Sequence, residues 1–155
     1  MKQATTATVA CLPERLEFVT YDVFTDTRFA GNPLAIVLGA DDLTCAQMQT
    51  IAREFNLSET IFVQTPTDPS HRAQVRIFFP TAEIPFAGHP TIGCAIYLAT
   101  LDHPTGDFDV PLVLEEQAGL VPVQVTRKAG QVRAEFLAPV LPFQPDQGQV
   151  PEISI

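Results

Sequence analysis

Apolar and polar positions along this chain assign most of its elements before any chemistry is considered. "LEFVTYDVFT", Leu16 to Thr25, is rich in β-branched and aromatic residues and predicts a first strand. The turn chemistry of "DTRFAGNP" separates it from "LAIVL", Leu34 to Leu38, an apolar run that reads as a buried strand. Met48, Ile51, Ala52 and Phe55 then fall at the i, i+3, i+4, i+7 spacing of an amphipathic helix. Thr44 and Gln47 offer that helix a capping box, Leu43 and Met48 a hydrophobic staple, and Asn56 a C-terminal stop. "LSETIFVQ", Leu57 to Gln64, returns to strand. "RAQVRIFF" alternates, so Ala73, Val75, Ile77 and Phe79 are expected on one face.

The stretch "EIPFAGHPTIG", Glu83 to Gly93, concentrates proline, glycine and a histidine just ahead of the uncharged run "CAIYLATL". Pro90 suits the first turn of a helix, where a missing N–H costs nothing. No charge interrupts any face from Thr91 to Leu101, and a helix apolar all round must be buried on all sides. A loop at "DHPTGDFDVP" leads to three strand-like runs, "LVLEEQ", "LVPVQVT" and "QVRAEFL". The turns between them contain Ala118-Gly119 and Lys128-Ala129-Gly130, which predicts a β-meander. The order β, β, α, β, β, α, meander implies an α+β domain whose sheet curls around the central apolar helix.

Composition adds boundaries to that picture. With 155 residues, 46% of them hydrophobic, the chain is long enough for one domain with a sizeable core. Residues 1–14 read as a loose leader, 15–138 as the folded domain, and 139–155, with four prolines in "APVLPFQPDQGQVPEISI", as a linker or truncated tail. The formal charge of −9 disfavours nucleic acid and anionic membrane as partners, while leaving room for a local anion pocket. Cys11, Cys45 and Cys94 share no metal-like spacing and read as buried or free thiols of a reducing compartment. No signal-like or membrane-length apolar run occurs, so a cytoplasmic location is expected.

Two features carry candidate chemistry. A buried helix starts with unpaired N–H groups and the positive end of its dipole, Gly88 leaves them open to approach, and His89 stands beside them. That combination suits a carboxylate or phosphate, or else it is a tight turn that a histidine merely caps. Glu59 shares strand parity with Ile61 and Val63, so its carboxylate is expected on an apolar face, where desolvation favours the protonated form. A carboxyl so placed suits a general acid/base that must both give and take a proton, or else it is an exposed strand-end glutamate.

Three stretches in order, "YDVFTDTRFAGNPLAIVL", "IAREFNLSETIFVQ" and "RIFFPTAEIPFAGHPTIGCAIYL", resemble the phenazine-biosynthesis PhzF-like family, which has the diaminopimelate epimerase-like fold. The resemblance runs from about Phe18 to near Pro139. It implies one half of a two-domain fold, each half a mixed sheet around a central helix, with the active site between halves. It also implies cofactor-independent isomerisation or epimerisation of a small carboxylate substrate. Carried over motif by motif, it makes Glu59 of "SET" the proton-shuttling acid/base, and Gly88 and His89 of "GHPT" substrate contacts, with the neighbouring Thr91 amide joining that hole. Ser58 matches a further substrate contact, and Asn32 of "GNP" the turn lining the cleft. Related racemases of this fold carry a thiol where this chain has Ala87, and Cys94 lies too deep in the helix to replace it, so two-thiol chemistry is not expected.

The second half implied by the resemblance has no counterpart in these residues. The expected partners are therefore a small carboxylate-bearing substrate and a second chain or second copy covering the inter-domain face. Three arrangements satisfy this: a split isomerase completed by another chain, a homodimeric small-anion-binding module, or an inactive fragment whose tail is a linker cut short.

Overall fold

The computed structural model describes residues 15–139, so the leader 1–14 and the tail beyond Pro139 lie outside the described residues. Strand β1 (Glu17–Val23) pairs antiparallel with β2 (Asn32–Leu38), and β2 pairs parallel with β3 (Glu59–Gln64). Between these two lies α1 (Cys45–Phe55). Strand β4 (Ala73–Phe78) runs antiparallel to β3 and carries the two-residue β5 (Glu83–Ile84) on it. Helix α2 (Gly88–Asp102) then crosses to β6 (Phe108–Glu116), which meets β4 in parallel. The meander closes with β7 (Gly119–Lys128) and β8 (Gln131–Phe136). The path β1-β2-β3-β4-β6-β7-β8 is a curled mixed sheet, and α2 packs against strands from both of its ends.

Two cores follow from the two faces of this sheet. On the concave side Leu34, Ile36, Ile61, Val75, Ile77, Leu114, Val121 and Val123 close around Cys94, Ala95 and Leu98 of α2. On the convex side Phe62 and Phe78, edge to face at 5.4 Å, pack with Val37 against Met48 and Ala52 of α1. Strands β3 and β4 are thus covered twice, which is why "TIFV" reads as an apolar run with no alternation.

The same double cover corrects one expected face. Phe79 lies just past β4 and is 37% exposed, while Phe78 points to α1 and is fully buried. Around α1 the capping box forms as its residues require. The Gln47 amide N–H donates to Thr44 Oγ1 at 3.3 Å, the Thr44 N–H donates to Gln47 Oε1 at 2.8 Å, and Asn56 ends the helix in the left-handed region. Helix α2 begins earlier than Pro90 suggested, with Gly88 and His89 already inside its first turn and Ala87 at the N-cap. Strand β6 likewise begins at Phe108, within the stretch expected to be loop. The Ala129-Gly130 turn places both residues at positive φ, the geometry that keeps β7 and β8 in register.

Helix α2 can sit at the centre only because one of its residues lacks a side chain. A Cβ on Gly93 would stand 2.6 Å from Leu34 Cδ2 and 2.8 Å from Val23 Cγ2, both belonging to buried core residues. Among the described residues, no helix is long and apolar enough to cross a membrane.

Candidate functional site

Strand β3 starts with Glu59, whose side chain lies on the Ile61–Val63 face and therefore looks at α2. The helix answers with His89, and His89 Nδ1 stands 3.2 Å from Glu59 Oε2. Both side chains are largely buried, at 8% exposure for the imidazole and 13% for the carboxyl. The contact is close but is not a hydrogen bond, since Glu59 Oε2 is buried without a hydrogen-bond partner; His89 Nε2, the other ring nitrogen, is likewise buried without one. Two polar groups of opposite acid–base character are thus held together with unspent bonding capacity, a costly arrangement that calls for a functional explanation.

The first turn of α2 adds donors. Ala87 supplies no side-chain cap, and the N–H groups of Gly88 and His89 precede any carbonyl the helix itself could offer. Pro90 has no N–H, and the Thr91 amide already donates to the Ala87 carbonyl at 3.4 Å. The open pair of donors is therefore Gly88 and His89. At Gly88 a Cβ would meet Phe136 Cζ only at 3.5 Å, an ordinary contact, so packing does not demand a glycine here.

The other sequence-derived residues divide into two groups. Ser58 and Asn32 do meet, with Ser58 Oγ donating to Asn32 Oδ1 at 3.2 Å, and both are exposed beside the start of β3. They sit next to Glu59 through the parallel pairing of Leu34 with Glu59. Thr91 is instead fully buried behind the turn, with its hydroxyl 2.7 Å from the Ala87 carbonyl and 2.6 Å from Glu116 Oε1. It supports the turn from the core side and presents nothing outward.

Glu116 is the residue that sequence reasoning passed over. Its carboxyl is buried, Oε2 has no hydrogen-bond partner, and burial pushes its pKa up to about 7. The signal was there in strand parity, since Leu112, Leu114 and Glu116 alternate onto the inward face of β6. Cys94 is buried in the helix, where desolvation and the nearby Glu116 push its thiol up to about 12, so it remains a thiol and no nucleophile. Cys45 is exposed, and Cys11 lies outside the described residues. Among the described residues, no group of His, Cys, Asp and Glu is arranged to hold a metal ion.

Comparison with known proteins adds to this geometry. The sequence profile described as "Phenazine biosynthesis-like protein" matches residues 21–148. An uncharacterized isomerase of Mesorhizobium japonicum is 52% identical over 125 residues, which cover 81% of this chain and 41% of that protein. The trans-2,3-dihydro-3-hydroxyanthranilate isomerase of Pseudomonas chlororaphis is 42% identical over 127 residues, covering 81% of this chain and 43% of that one. Among solved structures, a predicted epimerase from Pseudomonas aeruginosa superposes with a TM-score of 0.69 at 34% identity, over 77% of this chain and 41% of that one. A hydroxyproline epimerase from Agrobacterium vitis, at 17% identity, shares the fold, with a TM-score of 0.54 over 78% of this chain and 41% of that one. The chain therefore spans about two fifths of the length of these relatives.

Proposed function

Because the chain belongs to the phenazine biosynthesis-like protein family, which the isomerases and epimerases above share or resemble in fold, we propose that it forms the acid/base half of a cofactor-independent isomerase. The observation that carries this reading is the Glu59–His89 pair, buried at an uncapped helix N-terminus with one oxygen and one nitrogen lacking hydrogen-bond partners. Glu59, as carboxylate, takes a proton from a substrate carbon next to an unsaturated, carboxylate-bearing centre. The electron pair left behind spreads into that system. Glu59, now the acid, returns the proton to a different carbon of the same molecule, and the carboxylate is regenerated. No oxidant, reductant or second substrate is consumed.

The Gly88 and His89 N–H groups are suited to the substrate carboxylate, supported by the positive end of the α2 dipole. His89 adds a hydrogen bond or charge to the substrate carboxylate, and its imidazole lies 3.2 Å from the Glu59 carboxyl. Ser58 and Asn32 line the rim. The opposite wall is assigned to further polypeptide, either a longer form of this chain, a second chain or a second copy. What supports this reading is the share of its relatives that the chain spans. Without that wall the same residues make an anion-binding module.

Native mass spectrometry of the protein from its source identifies what completes the site, and the assembly so defined is the one to assay. The ring carboxylate named by one relative, trans-2,3-dihydro-3-hydroxyanthranilate, is the first substrate to offer. With substrate deuterated at the donor carbon, the product should carry that deuterium at the accepting carbon, less whatever Glu59 exchanges with solvent before returning it. Glu59→Gln should lower turnover by about 100-fold or more while the fold persists. Turnover surviving that change would remove Glu59 as the base.

A further inference from the structure

The hydrogen count at Thr91 is short by one. Its Oγ1 lies 2.7 Å from the Ala87 carbonyl oxygen and 2.6 Å from Glu116 Oε1. A hydroxyl has a single hydrogen, and a carbonyl has none to give. If Glu116 were a carboxylate, one of these two short contacts would be acceptor against acceptor. Both contacts are satisfied when Glu116 supplies the second hydrogen.

We propose that Glu116 is a positioning residue that keeps its proton, donates it to Thr91 Oγ1, and so leaves the Thr91 hydroxyl free to hold the Ala87 carbonyl at the start of α2. The surroundings favour the neutral acid. Glu116 is buried at the end of β6, its Oε2 has no hydrogen-bond partner, and burial raises its pKa to about 7. The titratable groups facing it do not oppose this. From α2 it meets Cys94, which remains a thiol. The cleft it shares with the preceding loop contains Asp68, His71 and Glu115, and there His71 Nδ1 is tied to Glu115 at 2.8 Å.

The consequence falls on the turn that bears Gly88 and His89. The Ala87 carbonyl otherwise receives only the long 3.4 Å bond from the Thr91 amide. When Glu116 loses its proton it can only accept, and it takes the Thr91 hydrogen away from Ala87. A negative charge then also stands behind the helix end that would receive an anion. For that effect on ligand affinity, the inference rests on the anion-binding role proposed for Gly88 and His89. The hydrogen bond itself does not.

The test is a pH titration of the protein by NMR with no ligand present. The carbon resonance of the Glu116 carboxyl, identified by its loss in Glu116→Gln, should titrate with a midpoint near 7. The Gly88 and His89 amide resonances should move with the same midpoint. In Glu116→Gln, whose side-chain N–H can still donate to Thr91, that movement should vanish. A Glu116 midpoint in the ordinary glutamate range overturns the proposal. So does amide movement that survives Glu116→Gln, since it would then have a source other than Glu116. If the variant does not fold, the carboxyl resonances of the unaltered protein, assigned through Thr91, decide alone. A second readout separates the two readings. In the active assembly KM should rise through the same midpoint in the parent and not in Glu116→Gln. A flat KM alongside the expected NMR titration would overturn the anion site, while the Glu116 proton would stand.

Discussion

The two helices of this domain solve the problem of their own beginnings in opposite ways. Helix α1 lies on the convex face, has one apolar stripe, and closes its N-terminus with the Thr44–Gln47 box. Helix α2 lies inside the sheet, is apolar on every face, and begins at Ala87 with no side-chain cap. A capped helix has spent its free donors, and an uncapped one keeps them. The open donors therefore occur at the helix whose first turn also meets Glu59, so that the most buried helix has the most reactive end.

The contrast can be broken at its base by disturbing how α2 is buried. Gly93→Val forces side-chain atoms into Leu34 and Val23 and should cost about 2 kcal/mol or more, read as a fall in the denaturant midpoint. A midpoint unchanged by that substitution would mean that α2 is not packed as described. Removing the cap from the other helix should cost less. Thr44→Ala is expected to lose about 1 kcal/mol with no change in anion binding, measured by the same unfolding assay. The smallest expected effect is the most instructive. Ala87 has the extended backbone of an N-cap, so Ala87→Ser should cap α2 and raise stability by about 0.5 kcal/mol. Its hydroxyl would occupy a first-turn donor, and carboxylate affinity should fall as stability rises. A gain in both would show that the uncapped turn is not the anion site.

Much of this was legible in the residues. The Thr44 box and the Asn56 stop follow from local chemistry and form where the pattern places them, and the apolar α2 forms too, starting two residues before Pro90 and leaving Leu101 half exposed. Parity put Glu59 on the Ile61–Val63 face without any view of the partner it would find there. What escaped was set by contacts between distant segments. Alternation groups Phe79 with Ala73, Val75 and Ile77 because it assumes a strand with one dry face, and β4 has two, with Phe78 buried on the other. The Thr91 amide is expected among the open N–H groups of the first turn, yet it donates to the Ala87 carbonyl, and the Thr91 side chain faces β6. In sequence Glu115 and Glu116 are adjacent and identical in kind. Only the fold shows that Glu115 serves a different set of partners from Glu116.

Those partners decide how the domain comes apart. The sheet consists of two well-paired blocks, β1 to β4 and β6 to β8, joined in parallel by a short seam that pairs Ala73 with Leu114 and Gln74 with Glu115 and adds the Arg72 N–H donating to the Val113 carbonyl at 2.9 Å. Glu115 sews this seam with its carboxylate, accepting from the Thr67 and Asp68 N–H groups and from His71, each at 2.8 Å. These bonds, the Asp68 N–H foremost, hold its pKa down at about 2, so their stabilisation is complete above the ordinary glutamate value near 4.5 and fades as pH falls toward 2. Acid should therefore act as an unpicking agent. In hydrogen exchange at low pH, amides along the seam open first and the two blocks exchange as separate cooperative units, giving two exchange classes within one continuous sheet.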